Sequence, residues 1–523
     1  MKRIVAILLL VTVVVVGVVL NISHTKSDAT KIIGAIDVDN GDLKINWDRY
    51  QTVDIELSES VTIAESGTYH ITGTLTNGMI KVQAGVGEVR LVLDNATIKN
   101  NTGPAILCAS AEDLVIELVG DNALEDGGSY ASDYDEDVSG AIYSKADLTF
   151  QGEGTLNITA NYLDAIVGKD DVKFNGGIYN IVAKDDGIRG KDSVYVVDGK
   201  FNINTVADAI KSTNETDNGK GFVLIENGDF EIATSAKGVK ATNSILIYNG
   251  DFTIESYDDA IHSNNYVGII DGNYSINSGD DGIHADRELI IDGGNVEIKK
   301  SYEGLEAQVI TVNGGNLHIV ASDDGMNAGG GADGSANNRP GAGAFDADLN
   351  CVLSVNGGDI YVNAAGDGID SNGYIYFNGG NVAVDGPTNN GNGALDSGAG
   401  IVMSGGTVVA VGASGMAETL GDAPSVLNIS VYFGSAQAAQ TNIEIKNSAG
   451  ETILSHTAAK TFNHLAAGSE KFVLGETYTI YINGEEYQDF KISNITTTVG
   501  NSSVNQYNMP GSAPGANSRQ TRR

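Results

Sequence analysis

A unit built on Asp-Gly-Ile or Asp-Ala-Ile returns through the middle of this chain with a nearly fixed step. Clear copies are Asp185-Asp186-Gly187-Ile188, Asp258-Asp259-Ala260-Ile261-His262, Asp280-Asp281-Gly282-Ile283-His284, Asp323-Asp324-Gly325-Met326 and Gly366-Asp367-Gly368-Ile369-Asp370. Weaker copies are Asp164-Ala165-Ile166, Asp208-Ala209-Ile210, Lys237-Gly238-Val239 and Glu303-Gly304-Leu305, and most steps between copies are 22 or 21 residues. A period of that length marks a solenoid, in which each repeat buries its apolar face against the next.

Each repeat holds three short apolar runs, such as Ile188, Val194-Tyr195-Val196 and Phe201-Asn202-Ile203, with no amphipathic helix between them. Asn249-Gly250, Asn313-Gly314-Gly315 and Asn356-Gly357-Gly358 supply the turn chemistry at one corner. Three strands per ~22 residues predict an all-β fold, a parallel β-helix. A leucine-rich horseshoe would need a leucine ladder, and an antiparallel sandwich would not hold one period for so long.

The organisation follows. Residues 1–29 carry Met1-Lys2-Arg3 and an apolar run from Ile4 to Leu20, a signal peptide or N-terminal membrane anchor that puts the rest outside the cytoplasm. Residues 30–416 form the β-helix with an N-terminal cap, less regular up to about Ala160. An insertion rich in Gly, Ala, Asn and Asp runs from Gly329 to Ala347. Residues 417–500 lose the period and read as a small C-terminal antiparallel β cap, with a hairpin turn at Asn483-Gly484. Residues 501–523 read as a disordered tail. Cys108 and Cys351 lie many rungs apart, cannot bridge, and read as buried core thiols.

The formal net charge of −37 argues against nucleic acid or an anionic membrane surface as partner. Much of it is columnar. If the Ile of each unit points inward, the next residue points out, giving Tyr143, Val167, Arg189, Lys211, Lys240, His262, His284, Glu306, Asn327, Asp370 and Asp396 in rung order. Beside it runs a column of turn acids. Stacked carboxylates ~5 Å apart repel by roughly 1 kcal/mol per pair in water and about 3–4 at an effective dielectric of 20. Calcium is one answer, since it takes several oxygen ligands in irregular geometry. Its candidate ligands are Asp164, Asp185, Asp186, Asp208, Asp258, Asp259, Asp280, Asp281, Glu303, Glu306, Asp323, Asp324, Asp367 and Asp370. The other answer is that these acids cap their own turns through backbone N–H groups.

Arg189, Lys211 and Lys240 either balance the acids or, with His262 and His284, bind the carboxylates of an acidic polymer. A sharper version makes Lys211 or Arg189 the base of a β-elimination. His262, His284 and Glu306 are also a permissible zinc set, or exposed side chains on a wet strip. Tyr162, Tyr274 and Tyr302 are candidate stacking residues for sugar rings.

Several stretches carry a family resemblance. They are Gly67-Thr68-Tyr69-His70-Ile71-Thr72-Gly73-Thr74-Leu75, Asp121-Asn122-Ala123-Leu124-Glu125-Asp126-Gly127 and Lys184-Asp185-Asp186-Gly187-Ile188-Arg189-Gly190. Further on come Gly366-Asp367-Gly368-Ile369-Asp370-Ser371-Asn372-Gly373, Gly386-Pro387-Thr388 with Asn392-Gly393-Ala394-Leu395-Asp396, and Gly412-Ala413-Ser414-Gly415-Met416-Ala417. Over roughly residues 60 to 500 the chain resembles the secreted bacterial carbohydrate-binding β-helix proteins first characterised in a cellulolytic clostridium. The resemblance implies a right-handed parallel β-helix like that of pectate lyases, bound calcium, and binding of plant cell-wall polysaccharide such as polygalacturonate (pectin) or cellulose without cleavage. Lys237 departs from the pattern, standing where the other units place an acid. A calcium-dependent polysaccharide lyase and a surface adhesin are the alternative readings.

Overall fold

The computed structural model describes Ala29 and residues 44–329, 347–421 and 425–501. The N-terminal apolar run, most of the glycine-rich insertion and the tail after Asn501 lie outside the described residues.

The chain coils into a parallel β-solenoid whose rungs contribute to three hydrogen-bonded ladders. The period-2 alternation of strands turns one set of side chains inward on every rung. In the first ladder the inward column is Ile166, Ile188, Ile210, Val239, Ile261, Ile283, Leu305, Met326, Ile369 and Leu395, each in register with the next. In the second it runs Val172, Val194, Val223, Ile245, Val267, Leu289, Ile310, Leu353 and Ile375. In the third, Tyr179, Phe201, Phe230, Phe252 and Tyr274 stack ring on ring at 4.6–4.9 Å before aliphatic residues take over at Val296. Each stacked pair adds about 0.5–1.5 kcal/mol beyond its buried area. Identical neighbours above and below let one side-chain type fill the same place rung after rung. That is why the period is so strict.

The corner before the third ladder needs glycine. Gly315 has φ +91°, and a Cβ built there would stand 2.7 Å from the Gly294 carbonyl oxygen of the preceding rung. Gly315→Ala is therefore expected to cost at least about 1–3 kcal/mol, seen as a lower unfolding midpoint. An unchanged midpoint would contradict this account of the corner.

Cys108 and Cys351 are free and buried. At the C-terminal end, Thr407–Gly412 pairs antiparallel with Phe462–Ser469, which also pairs with Asn428–Gln437. A separate four-stranded antiparallel sheet is built from Thr452–Thr457, Asn442–Asn447, Thr477–Ile482 and Glu485–Lys491. Asn483 and Gly484 turn its last hairpin with positive φ at both positions. These strands cover the last rung, whose open edge would otherwise template further pairing.

Candidate functional site

The turn acids of the first ladder divide their two oxygens between two tasks. One oxygen accepts a backbone N–H from the next rung. Asp164 Oδ1 accepts from Asp186 at 3.1 Å, Asp186 Oδ1 from Asp208 at 3.1 Å, and Asp208 Oδ1 from Lys237 at 3.2 Å. Asp259 Oδ1 accepts from Asp281 at 2.9 Å, Asp281 Oδ1 from Glu303 at 3.2 Å, and Asp324 Oδ1 from Asp367 at 2.6 Å. The capping expected from sequence is thus real but differently aimed: these acids cap the neighbouring turn. Inter-rung bonding satisfies amides that the sharp corner withholds from the ladders.

The second oxygen meets the outward column. Arg189 Nη2 donates to Asp164 Oδ2 at 2.5 Å and to Ser139 Oγ at 2.8 Å. Lys211 Nζ sits 3.3 Å from Asp186 Oδ2 and 3.0 Å from Asp208 Oδ2, and Lys240 Nζ lies 3.8 Å from Asp208 Oδ2. Lys237, the lysine in an acid's place, turns its ammonium to Asp258 at 2.9 Å and Asp259 at 2.5 Å. Burial alone would lower the Lys211 pKa, but Asp186 and Asp208 outweigh it and hold the ammonium above its ordinary value. Burial pushes Asp186 up to about 6 against the pull of Lys211.

Next come the histidines. His262 Nδ1 lies 2.8 Å from Asp259 Oδ2 and its Nε2 3.2 Å from Asn264 Oδ1. His284 Nδ1 lies 3.0 Å from Asp281 and 2.8 Å from Glu306, with Nε2 3.1 Å from Asp286. The two imidazoles stack at 4.6 Å. Burial would discharge His284, yet Asp281, Asp286 and Glu306 outweigh it and raise its pKa. Acceptors at both ring nitrogens favour an imidazolium. His262 and His284 are 4% and 0% exposed, which corrects their reading as sugar contacts or as exposed members of a wet strip. They point out of the solenoid but are covered by its flanking turns.

The column changes character after Glu306. Burial raises Asp324 to about 7, Asp367 to about 6 and Glu418 to about 7, and it raises Asp370 and Asp396 too, with neighbouring carboxylates adding to the rise at Asp324, Asp367, Asp370 and Glu418. Among the described residues no salt bridge reaches these five. Glu306, Asn327, Asp370 and Asp396 are in register on successive rungs. Asn327 donates to Glu303 at 3.0 Å, but its Oδ1 and the Glu306 Oε1 are buried without a partner. Both orphaned atoms are oxygen acceptors beside a surplus of negative charge.

Carboxylate and imidazole ligand atoms converge within 4.8 Å at Asp164, Asp185 and Asp186; at Asp258, Asp259 and Asp280; at Asp281, His284 and Glu306; and at Asp259, His262 and His284. In each of these the charge is met by Arg189, Lys211, Lys237 or an imidazole. A further trio, Asp147, Asp170 and Asp171, was not evident in the sequence. The only hint of it is Lys173 inside an apolar strand, a fully buried ammonium 3.8 Å from Asp147. Asp208, Glu303, Asp323, Asp324, Asp367 and Asp370 are not in these convergent groups. Of the candidate stacking tyrosines, Tyr274 belongs to the core stack, Tyr162 packs 4.4 Å from Tyr130, and Tyr302 is exposed.

A parallel β-solenoid carrying a polar, partly charge-balanced column along one face is the class of molecule these observations define. A family model described as carbohydrate-binding domain-containing protein matches residues 58–325, just over half of the chain, and the chain belongs to that family. A carbohydrate-binding domain-containing protein of Acetivibrio thermocellus is 36% identical over 146 residues, 27% of this chain and 50% of that relative. The chain therefore spans about half the length of the curated relative it matches. Among solved structures, the gadolinium derivative of a polysaccharide lyase-like protein from C. thermocellum is 28% identical, covering 46% of this chain and 96% of that one at a TM-score of 0.38.

Proposed function

We propose that this chain is an exported protein that holds acidic plant cell-wall polysaccharide, polygalacturonate first among them, through calcium and without cleaving it. The observation that carries the reading is the change in the column at Glu306. Up to the rung of His284, side-chain cations answer the turn acids Asp164, Asp186, Asp208, Asp259 and Asp281, whereas among the described residues Glu303 meets only the Asn327 amide. Beyond it, Asp324, Asp367, Asp370, Asp396 and Glu418 have no such partner among the described residues, and the orphaned Asn327 and Glu306 oxygens lie alongside. An all-oxygen set of carboxylates and an amide carbonyl suits a hard cation such as calcium. When bound, calcium would supply positive charge for a polymer's carboxylates.

The first half of the column supports a structural role for Arg189, Lys211 and Lys240 as charge balance. It also weakens the lyase alternative. A lysine whose pKa is raised by two aspartates has no lone pair to offer as base near neutral pH. Retention of the protein on immobilised polygalacturonate, in calcium and in chelator, tests the proposal.

A further inference from the structure

On another face of the molecule, an open groove of about 750 Å³ runs between the third ladder and the overhanging C-terminal sheet. That is ample for a small-molecule or oligosaccharide ligand. We infer that this groove is a second carbohydrate site, for a neutral hexose polymer lying along the solenoid axis. The inference rests on the reading of the chain as a carbohydrate binder, but uses none of the acids or cations of the first ladder.

Two outward columns make the floor. One runs Asn295, Asn316, Asp359, Asn381 and Thr407; the other runs Glu297, His318, Tyr361, Ala383 and Val409. Asn316 Nδ2 donates to Asn295 Oδ1 at 2.8 Å, and Asn381 Nδ2 to Asp359 Oδ1 at 2.7 Å. Each amide carries both donors and an acceptor, as a sugar's hydroxyls both donate and accept. The first column repeats at the rung spacing of ~4.8 Å, which gives a polymer of similar repeat a polar side chain, amide, carboxylate or hydroxyl, on each successive rung.

The apolar element is the ring pair of His318 and Tyr361, edge to face at 4.8 Å. Tyr361 is fixed in place. Its hydroxyl donates to Asp385 Oδ2 at 2.7 Å, and Asp385 Oδ1 lies 3.1 Å from Nε2 of His456 in the C-terminal sheet. A ring held this way gives the C–H face of a pyranose a platform that loses little freedom on binding.

Charge selects the occupant. Glu297 and Asp359 lie on the floor, Lys471 is the one lysine or arginine lining the groove among the described residues, and Glu297 is met by Lys299 at 3.4 Å. A polyuronate would bring its carboxylates onto these acids with no surplus of positive charge to receive them. A neutral chain meets no such penalty.

The test is calorimetric titration of the full chain, in chelator, with cellohexaose, mannohexaose and hexagalacturonate. At least one neutral hexaose is expected to bind while hexagalacturonate does not. Tyr361→Ala should weaken that binding by about tenfold or more, whereas Tyr361→Phe, which keeps the ring but loses its tie to Asp385, should weaken it by less than Tyr361→Ala does. If Tyr361→Ala unfolds, His318→Ala, at an exposed side chain, reads the same platform. No binding by either neutral hexaose, or full affinity in a folded platform variant, overturns the inference; so does hexagalacturonate competing for the groove. Loss of calcium-dependent retention on polygalacturonate with neutral binding intact would sink the first-ladder proposal and leave this one standing.

Discussion

His284→Ala is expected to destabilise the solenoid by about 3–5 kcal/mol, the cost of removing one partner from a buried ion cluster. The imidazole is fully buried, and it is the side chain that three carboxylates, Asp281, Asp286 and Glu306, share. Without it, Asp281 and Glu306 face each other across one rung spacing with no cation between them. Burial already pushes Asp281 up to about 8, while His284 and Asp281 together hold Glu306 low against its own burial. The check is denaturant unfolding of the single variant beside His284→Ala with Glu306→Gln. The pair should be less destabilised than the single, because the second change removes the stranded charge. Equal destabilisation would show that lost packing, not charge, accounts for the effect.

The second large effect concerns calcium and pH. In chelator, stability should fall as pH rises from about 4, where unfolded carboxyls titrate, to about 7, the folded value of Asp324 and Glu418. The sign follows from proton linkage. Folded carboxyls with raised pKa values still hold protons that the unfolded chain has released, so raising pH favours unfolding until the folded groups have also titrated. Asp147, Asp281 and Glu303, also raised, push in the same direction. Calcium should flatten the slope near pH 7, stabilising the fold by about 2.7 kcal/mol at a hundredfold excess over Kd. Asp370→Asn should both shrink the slope in chelator and weaken the calcium response. Thermal unfolding at several pH values, with and without calcium, reads all of this, and a calcium response undiminished in Asp370→Asn would place the ion elsewhere.

The solenoid was legible because its cause is local. Each Asp-Gly-Ile turn makes the same demand on the chain, so the inward column from Ile166 to Leu395 and the acid column beside it could be drawn from spacing alone. Burial of the outward column was not legible. Tyr143 and Val167 point away from the core, yet they are covered by Val138 and Tyr130 from a loop outside the repeat. His262 and His284 are buried too, each bonded to a turn acid of its own repeat and, two residues on, to Asn264 or Asp286, which the period does not encode. Asn327 falls in the outward column by spacing, but as one amide among many it gave no sign of a buried, unpaired oxygen. The groove under the C-terminal sheet depends on where an aperiodic segment docks, and on Asp385 meeting His456, residues 71 apart in sequence.

The most direct measurement is retention of the protein on polygalacturonate with calcium and with chelator, following absorbance of unsaturated product in the same sample. The account predicts retention in calcium, release in chelator, and no absorbance rise in either. A calcium-dependent rise would make the chain a lyase, and equal retention in chelator would remove calcium from the site.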